Sequence, residues 1–367
     1  MEKLNFQNLN SFEYIIFIHS IHLASGILTM PGPLANAAGP DGWISIILGW
    51  LMTSIIGVLV IMTLQKSTDK DFPQILTSYF GKWLGLAFII LYAFFLFFAG
   101  FNTVLKATDI VKVWVFPSTP VYQIAILLII PFIILASSGI RAITNYTMVV
   151  FFFSAWMPIL LIFSLKNNYN PLHLLPILKD GIFPVVKGLK ETITPFAGLE
   201  VAYFIYPYLQ QKEKAIKGIV IANTVTMFFY LYVTIFSYLY FSPEGIKAVI
   251  WPVFHLLKDV RFSFLERFEV VYIAYYLIVF TTTIYPYFFF SLQSIKNTFK
   301  KVPGNWIHIS FILSIIGLFI FLNPNLSELE FIYSFMDLLN FIFFILLPIF
   351  FFIYSIIITR FTRRKAP

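Results

Sequence analysis

The chain has 367 residues, of which 59% are hydrophobic and only 11% carry a formal charge. Soluble domains are about a quarter charged, so this composition excludes an ordinary water-soluble protein and predicts an integral membrane protein. The formal net charge of +8 then needs no nucleic-acid partner, and the absence of cysteine excludes disulfides, thiolate metal sites and cysteine nucleophiles.

The polar N-terminal segment MEKLNFQNLNSFEY lacks the features of a removable signal peptide, so the first apolar helix is expected to direct insertion. A helix needs about 20 apolar residues to cross a bilayer. Apolar runs of about that size lie near residues 12–37, 43–64, 82–107, 121–139, 142–165, 183–208, 217–241, 266–295, 305–322 and 328–358. We therefore predict an all-α integral membrane protein with ten transmembrane helices in one domain, residues 1–367.

Ten helices divide into five plus five, and an odd number per half gives the halves opposite orientations in the membrane. We predict such an inverted repeat, with one half over about 12–165 and the other over about 183–322, extended to 358 by the tenth helix. The first helix of each half is characteristically interrupted in these folds. Interrupting residues occur in both, as ASGILTMPG in helix 1 and as TPFAGLE, residues 194–200, in helix 6.

Basic residues predict the orientation, with both termini in the cytoplasm. The basic residues placed inside are Lys66, Lys70, Lys82, Arg141, Lys212, Lys214, Lys217, Lys296, Lys300, Lys301 and those of the tail RFTRRK. The short outer loops near 39–42 and 323–328 contain no lysine or arginine. Longer outer loops carry Lys247, Lys258 and Arg261, because long segments cross largely regardless of charge.

A break in a membrane helix leaves N–H and carbonyl groups that each cost roughly several kcal/mol unless a partner meets them. Free N–H groups at the start of a second half-helix suit a carboxylate, and carbonyls at the end of a first half-helix suit an ammonium. A free amino acid carries both groups. The candidate ligand-binding residues at the two breaks are Ser25, Gly26, Ile27, Ala197, Gly198 and Leu199.

Helical spacing indicates further walls of this site. Phe94, Phe98 and Asn102 recur at i, i+4 and i+8 in helix 3, and Thr283 and Tyr287 at i and i+4 in helix 8. The alternative for the phenylalanines is ordinary packing. The alternative for the threonine run that contains Thr283 is bonding to carbonyls of its own helix.

Ionisable residues at membrane depth are candidates for function. Glu200 either serves the site or complements the dipole of the half-helix that it begins. His19 and His22 lie one turn apart, where polar packing is favoured over a metal or proton role because no third ligand accompanies them. Pairing or interfacial roles are expected for Lys106, Asp109 and Asp337.

Several stretches resemble the B subunits of bacterial spore germinant receptors, in the amino acid-polyamine-organocation (APC) transporter superfamily. They are SGILTMPGPLANAAGPDGWI at 25–44, FAGLEV at 196–201, SPEGIKAVIWP at 242–252, LERFE at 265–269 and FTTTIYPYF at 280–288. The resemblance implies a LeuT/APC-like fold with discontinuous helices 1 and 6, in the spore's inner membrane. It also implies an A subunit and a lipoprotein C subunit as partners, with this chain as the nutrient-sensing component.

Transferred residue by residue, the resemblance implies a pocket formed by Gly26, Ile27, Phe98, Ala197, Gly198, Leu199, Thr283 and Tyr287. Bulky side chains at Phe94 and Phe98 argue against alanine as the ligand, and related receptors respond to valine, leucine, proline or sugars. We expect a receptor subunit that binds a small neutral amino acid or a sugar and triggers germination with its partners.

Two other interpretations stay open. A secondary amino acid transporter would use the same pocket, with a sodium ion held by helix 1 carbonyls and the hydroxyls of Thr282 and Thr283; a lysine-based proton route is closed because 142–165 contains no lysine. A structural subunit with a vestigial pocket would bind nothing. No phosphate loop, nucleophile elbow or metal-ligand spacing is present, so neither an enzyme nor a cofactor or metal site is expected.

Overall fold

The structure is a computed structural model that describes residues 9–67, 70–166, 168–260, 267–322 and 324–363. The sequence features that fall outside the described residues are the N-terminal residues 1–8, Arg261, Leu265, Glu266, Asn323, Arg364 and Lys365. The regular structure within the described ranges is overwhelmingly helical. The helices are α1 Ser11–His22, α2 Gly26–Thr29, α3 Pro31–Ala38, α4 Gly42–Gln65, α5 Phe72–Trp114, α6 Val121–Ser138, α7 Ile140–Ser154, α8 Leu161–Ser164, α9 Phe183–Phe196, α10 Ala202–Ile205, α11 Ala215–Tyr240, α12 Pro252–Lys258, α13 Phe268–Thr298, α14 Gly304–Phe321, α15 Leu326–Asn340 and α16 Leu347–Arg363.

Eight helical stretches of the described chain are long and apolar enough to cross a membrane. They are Pro31–Gln65, Phe72–Trp114, Val121–Ser138, Ile140–Ser164, Lys212–Tyr240, Phe268–Thr298, Gly304–Phe321 and Ser327–Ile358. Most of them match a predicted apolar run. The chain is therefore an all-helical, multi-pass membrane protein.

Two predicted runs, 12–37 and 183–208, do not form continuous spanning helices. Their first helices, α1 and α9, have 12 and 14 residues. At 1.5 Å per residue such helices reach only about 20 Å, less than the ~30 Å hydrocarbon core of a bilayer. Both runs are broken at the places that the sequence indicated, after His22 and after Phe196.

Two other helices differ from their predicted runs. Helix α5 begins ten residues before the predicted 82–107, at a capping box in which Asp71 accepts the Gln74 N–H at 2.9 Å. Gly81, with φ of 78°, divides it into a short first segment and a long helix that continues to Trp114. The last run, predicted as continuous over 328–358, contains a π-helical turn at Phe341–Leu346 between α15 and α16.

The two broken segments occupy the centre of the helix bundle. Helix α1 packs against α11, α13 and α7, whereas α9 packs against α4 and α15. The start of the first segment is fixed to the end of the second, because the Leu9 N–H donates to the Tyr208 carbonyl at 2.7 Å. An ion pair of 2.7 Å between Arg141 on α7 and Glu13 on α1 holds the same end.

Candidate functional site

The break after α1 leaves a row of carbonyl groups without helical partners, and α13 supplies hydroxyl groups to them. Thr283 donates to the Ile21 carbonyl at 2.7 Å. Thr282 lies 3.1 Å from the Ser20 carbonyl and 2.7 Å from a carbonyl of its own helix. Thr282 thus shows both of the predicted arrangements, since its hydroxyl lies near a carbonyl of α1 and bonds to a carbonyl of its own helix.

Tyr276, two turns earlier on α13, serves the next part of the break. Its hydroxyl lies within hydrogen-bond distance of the carbonyls of Leu23 and Ala24, the second at 2.8 Å. A tyrosine hydroxyl has one hydrogen, so it donates to one carbonyl at a time. The side chain is buried and spans the gap between the end of α1 and the start of α2.

Tyr230 on α11 joins the first break to the second. Its buried hydroxyl lies 2.5 Å from the His22 carbonyl and 2.7 Å from the Pro195 carbonyl at the end of α9. A β-carbon at Gly26 would lie 2.9 Å from both Pro195 Cβ and the Tyr230 hydroxyl oxygen, closer than real contacts allow. Glycine at position 26 therefore lets the two breaks approach each other around one hydroxyl group.

The second break requires glycine at position 198. The φ of Gly198 is 133°, and a β-carbon there would lie 2.8 Å from Cδ2 of His22. Its N–H donates to Glu200 Oε2 at 2.7 Å, and Glu200 Oε1 accepts from the Tyr287 hydroxyl at 3.0 Å. The fully buried Glu200 carboxylate thus folds back onto the break and orients Tyr287.

His19 and His22 share a single hydroxyl group on α11. Their Nδ1 atoms lie 2.9 and 3.0 Å from Thr226 Oγ1, which also lies 3.0 Å from the Ala222 carbonyl. A hydroxyl has one hydrogen and two lone pairs, so it donates to Ala222 and accepts from both rings. Neutral imidazoles then carry their hydrogens on Nδ1, which leaves Nε2 of each ring as an acceptor.

A cavity of about 190 Å³ lies between the two breaks. It is slightly larger than an engineered cavity of about 150 Å³ that holds benzene, which is a scale for a small organic molecule. Its lining residues are Ile21, His22, Ala24, Ser25, Gly26, Thr29, Met30, Pro33, Ala99, Asn102, Thr103, Lys106, Glu191, Thr194, Pro195, Ala197, Thr283, Tyr287, Met336, Asp337 and Asn340.

Six of the residues predicted for the site and its walls line this cavity: Ser25, Gly26, Asn102, Ala197, Thr283 and Tyr287. The others lie around it without lining it. Gly198, Leu199 and Glu200 form the second break behind the wall, and Thr282 faces the first. Ile27 lines a separate small apolar cavity with Phe151 and Tyr276.

Phe94 and Phe98 point away from the cavity. Phe94 is 50% exposed on the outer surface, and Phe98 packs against Phe335 with ring centroids 5.4 Å apart. An i, i+4, i+8 series drifts by about 80° over its length because an α-helix has 3.6 residues per turn. The face of α5 that lines the cavity consists of Ala99, Asn102, Thr103 and Lys106, so Asn102 is the one member of the predicted series that reaches it.

Charged and amide side chains on α5, α9 and α15 form the other end of the cavity. Asp337 Oδ1 accepts from the Thr194 hydroxyl at 2.6 Å, and Asn340 Nδ2 donates to the same hydroxyl at 3.0 Å. Lys106 Nζ lies 5.2 Å from the centre of the Tyr333 ring. The sequence predicted pairing or interfacial roles for Lys106 and Asp337 and did not predict that they line the cavity. It also did not predict Glu191, Thr194 and Asn340 as wall residues.

The shared hydroxyl of Thr226 gives a stability test. Thr226→Val leaves two buried imidazole N–H groups without an acceptor. Each unsatisfied group costs about 1–3 kcal/mol, so we expect the free energy of unfolding to fall by at least about 1 kcal/mol. Thr234→Val is the matched control on the same helix, because the Thr234 hydroxyl is buried without a hydrogen-bond partner among the described residues. Equal denaturation midpoints for the two variants in detergent would contradict the shared-acceptor arrangement.

Tyr276 gives a second test. Tyr276→Phe removes the hydroxyl that donates to one or other of two buried carbonyls, and we expect a loss of about 1–3 kcal/mol in the free energy of unfolding. Tyr275→Phe is the control, since the neighbouring Tyr275 makes ring contacts with Phe153 and Trp156 but no described hydrogen bond. Thermal unfolding of both purified variants measures the difference in stability. A Tyr276→Phe variant as stable as the control would contradict the view that the Tyr276 hydroxyl stabilises the break by bonding to its carbonyls.

Comparison with known proteins connects this geometry to a family. The family model described as spore germination protein (Spore_permease) matches residues 8–328. Spore germination protein GerQB of Bacillus cereus is 26% identical over 317 residues, which cover 84% of each chain. Spore germination protein YndE of Bacillus subtilis (strain 168) is 28% identical over 299 residues, which cover 78% of this chain and 80% of the relative.

A solved structure is similar over nearly the whole chain. It is the crystal structure of MhsT in complex with L-phenylalanine, with a TM-score of 0.67 and 13% identity, covering 94% of this chain and 88% of MhsT. At that identity the likeness shows the fold alone, which is the transporter fold of the LeuT/APC kind. The family match extends over most of the chain and includes both helix breaks. The chain belongs to the spore germination protein family.

Proposed function

We propose that this protein is a germinant-sensing receptor subunit that binds a small neutral amino acid in the cavity between its two helix breaks. The observation that carries the proposal is the position of that cavity. It is bounded by both breaks, by hydroxyls of α13 and by charged groups of α5, α9 and α15. The helix breaks and this polar wall suit a ligand with two opposite charges.

The ligand carboxylate would bind at the start of α2. The N–H groups of Gly26 and Ile27 have no hydrogen-bond partner within the described part of the chain, and Gly26 lines the cavity. Such first-turn N–H groups carry the positive end of a helix dipole. A carboxylate there would satisfy groups that are costly to leave unmet in a membrane.

The ligand ammonium would bind at the other end of the cavity. The carbonyls at the end of α1, the partner expected from the sequence, already accept from Thr283, Tyr230 and Tyr276. Asp337 and Glu191 offer carboxylates in the cavity wall against a single lysine, Lys106. A sugar is the second ligand class, since it would use the same oxygen-rich wall without requiring a charge at either end.

We propose the ten-helix inverted repeat as the arrangement behind this site. Helix α4 and the seven later spanning stretches, together with the two broken segments at about 12–37 and 183–208, support ten crossings. The hydrogen bond from Leu9 to Tyr208 supports opposite directions for the two broken segments, because it joins the beginning of one to the end of the other. The halves are those proposed from the sequence, about 12–165 and 183–322 with the tenth helix to 358.

A receptor is favoured over a sodium-coupled transporter by the hydrogen bonds of the first break. A sodium ion bound between α1 carbonyls and the hydroxyls of Thr282 and Thr283 would compete with the bond of 2.7 Å that Thr283 already donates to the Ile21 carbonyl. As a sensor, the protein needs only that its ligand binds one conformation more tightly than another. The proposed partners are an A subunit and a lipoprotein C subunit, with both termini of this chain cytoplasmic and the complex in the spore's inner membrane.

The experiment is ligand binding by the purified chain, followed by flux in liposomes. We expect saturable binding of one or a few neutral amino acids, unchanged when sodium is replaced by potassium, and no uptake driven by a gradient. Gradient-driven uptake would establish the transporter instead. Absence of binding with both amino acids and sugars would leave the structural-subunit interpretation.

Ala99→Leu tests the location of the site. Ala99 lines the cavity, so a leucine side chain would occupy ligand space, and we expect affinity to fall by roughly tenfold or more, about 1.4 kcal/mol per factor of ten. Phe94→Leu on the same helix is the control, because Phe94 is exposed outside the cavity. Equal dose-response curves for Ala99→Leu and the wild type, with equal thermal stability, would place the ligand elsewhere.

A further inference from the structure

A second cavity, of about 610 Å³, lies on the outer surface between α5, α13 and α14. Phenylalanines form its walls, and their positions are Phe94, Phe97, Phe299, Phe311 and Phe321. Phe94 and Phe321 are 50% and 88% exposed, so the cavity opens toward the surrounding membrane. It shares no wall residue with the ligand cavity and is therefore a separate feature of the protein.

Two of the three hydroxyl side chains in this wall, those of Ser294 and Ser314, are already hydrogen-bonded within their own helices. Ser294 donates to the Phe290 carbonyl at 2.7 Å, and Ser314 donates to the Phe311 carbonyl at 2.7 Å. Helix association in membranes relies on close backbone approach and on hydrogen bonds between helices. A wall built mainly of phenylalanine rings, in which two of the three hydroxyl groups already bond within their own helices, suits a flexible hydrocarbon chain better than a partner helix.

Positive charges gather at one end of the cavity. Lys296, Lys300 and Lys301 lie at the end of α13 and in the turn to α14, beside the wall residue Phe299. Lys296 extends toward α14, with its Cε 4.0 Å from the position of a β-carbon on Gly304. None of the three lysines has a carboxylate at salt-bridge distance within the described ranges, and Asp71 is the acid that acts electrostatically on Lys300.

We propose that this cavity binds an acyl chain of an anionic phospholipid, with the headgroup at Lys296, Lys300 and Lys301. Basic clusters at the cytoplasmic ends of membrane helices attract anionic lipids, and basic pockets between such helices bind their headgroups. In the orientation proposed above, these lysines lie at the cytoplasmic face.

Native mass spectrometry of the full chain, incubated with phosphatidylglycerol or with phosphatidylcholine of the same acyl chains, tests the proposal. We expect the wild type to retain phosphatidylglycerol several-fold more than phosphatidylcholine. Gly317→Phe should reduce retention of both lipids, because a β-carbon at Gly317 meets no atom within 4 Å and the ring would fill the cavity. Leu313→Phe, exposed on the same helix outside the cavity, should retain lipid like the wild type.

A variant with Lys296→Gln, Lys300→Gln and Lys301→Gln distinguishes the contribution of the lipid headgroup to binding from that of the acyl chain. It should lose the preference for phosphatidylglycerol while still retaining lipid, and it tests the site even if Gly317→Phe fails to fold. Equal retention of the two lipids by the wild type would overturn the proposal. So would equal losses in Gly317→Phe and Leu313→Phe, or a second protein chain crosslinked into the cavity in place of lipid.

Discussion

The break in α1 sets the main physical constraint on this protein. Carbonyl groups from Ser20 to Ala24 lie inside the bundle where the helix is interrupted, and each would be costly if left unmet. The hydroxyls of Tyr230, Tyr276, Thr282 and Thr283 lie within hydrogen-bond distance of them, and each donates to one carbonyl at a time. Two helices, α11 and α13, must therefore lie close to the break with particular faces turned inward, and the central packing follows from this requirement.

The need to satisfy broken-helix backbone groups is met differently on the two sides of the first break, the end of α1 and the start of α2. Protein hydroxyls donate to the carbonyls at the end of α1, whereas the Gly26 N–H at the start of α2 lies at the cavity wall without a hydrogen-bond partner among the described residues. Because Tyr230 also reaches the Pro195 carbonyl, the first and second breaks share one hydrogen-bonding group. A change at either break alters the bonding available to the other, which gives a ligand between them a means to bias the whole centre of the bundle.

The sequence predicted the breaks because their signals are local. Glycine, proline and small polar residues inside an apolar run have few explanations in a membrane, and both breaks lie where ASGILTMPG and TPFAGLE stand. Residues of the cavity wall within one or two turns of a break, such as Ser25 and Ala197, were predicted for the same reason. The cavity wall on α5 was harder to predict, since Phe94 and Phe98 share an approximate spacing with Asn102 but the helix rotates them out of the face that Ala99 and Lys106 form.

The charged end of the cavity could not be derived from spacing at all. Asp337 and Asn340 come from the last third of the chain and reach Thr194 through hydrogen bonds that depend on how α15 docks against α9. A lone intramembrane carboxylate indicates that a partner exists but not which one. In the docked arrangement, Asp337 on α15 and the Gly26 N–H lie in the wall of the same cavity. A ligand that contacts both would hold α15, α9 and α2 in one relative position, and loss of that ligand would release three elements together, as a two-state sensor requires.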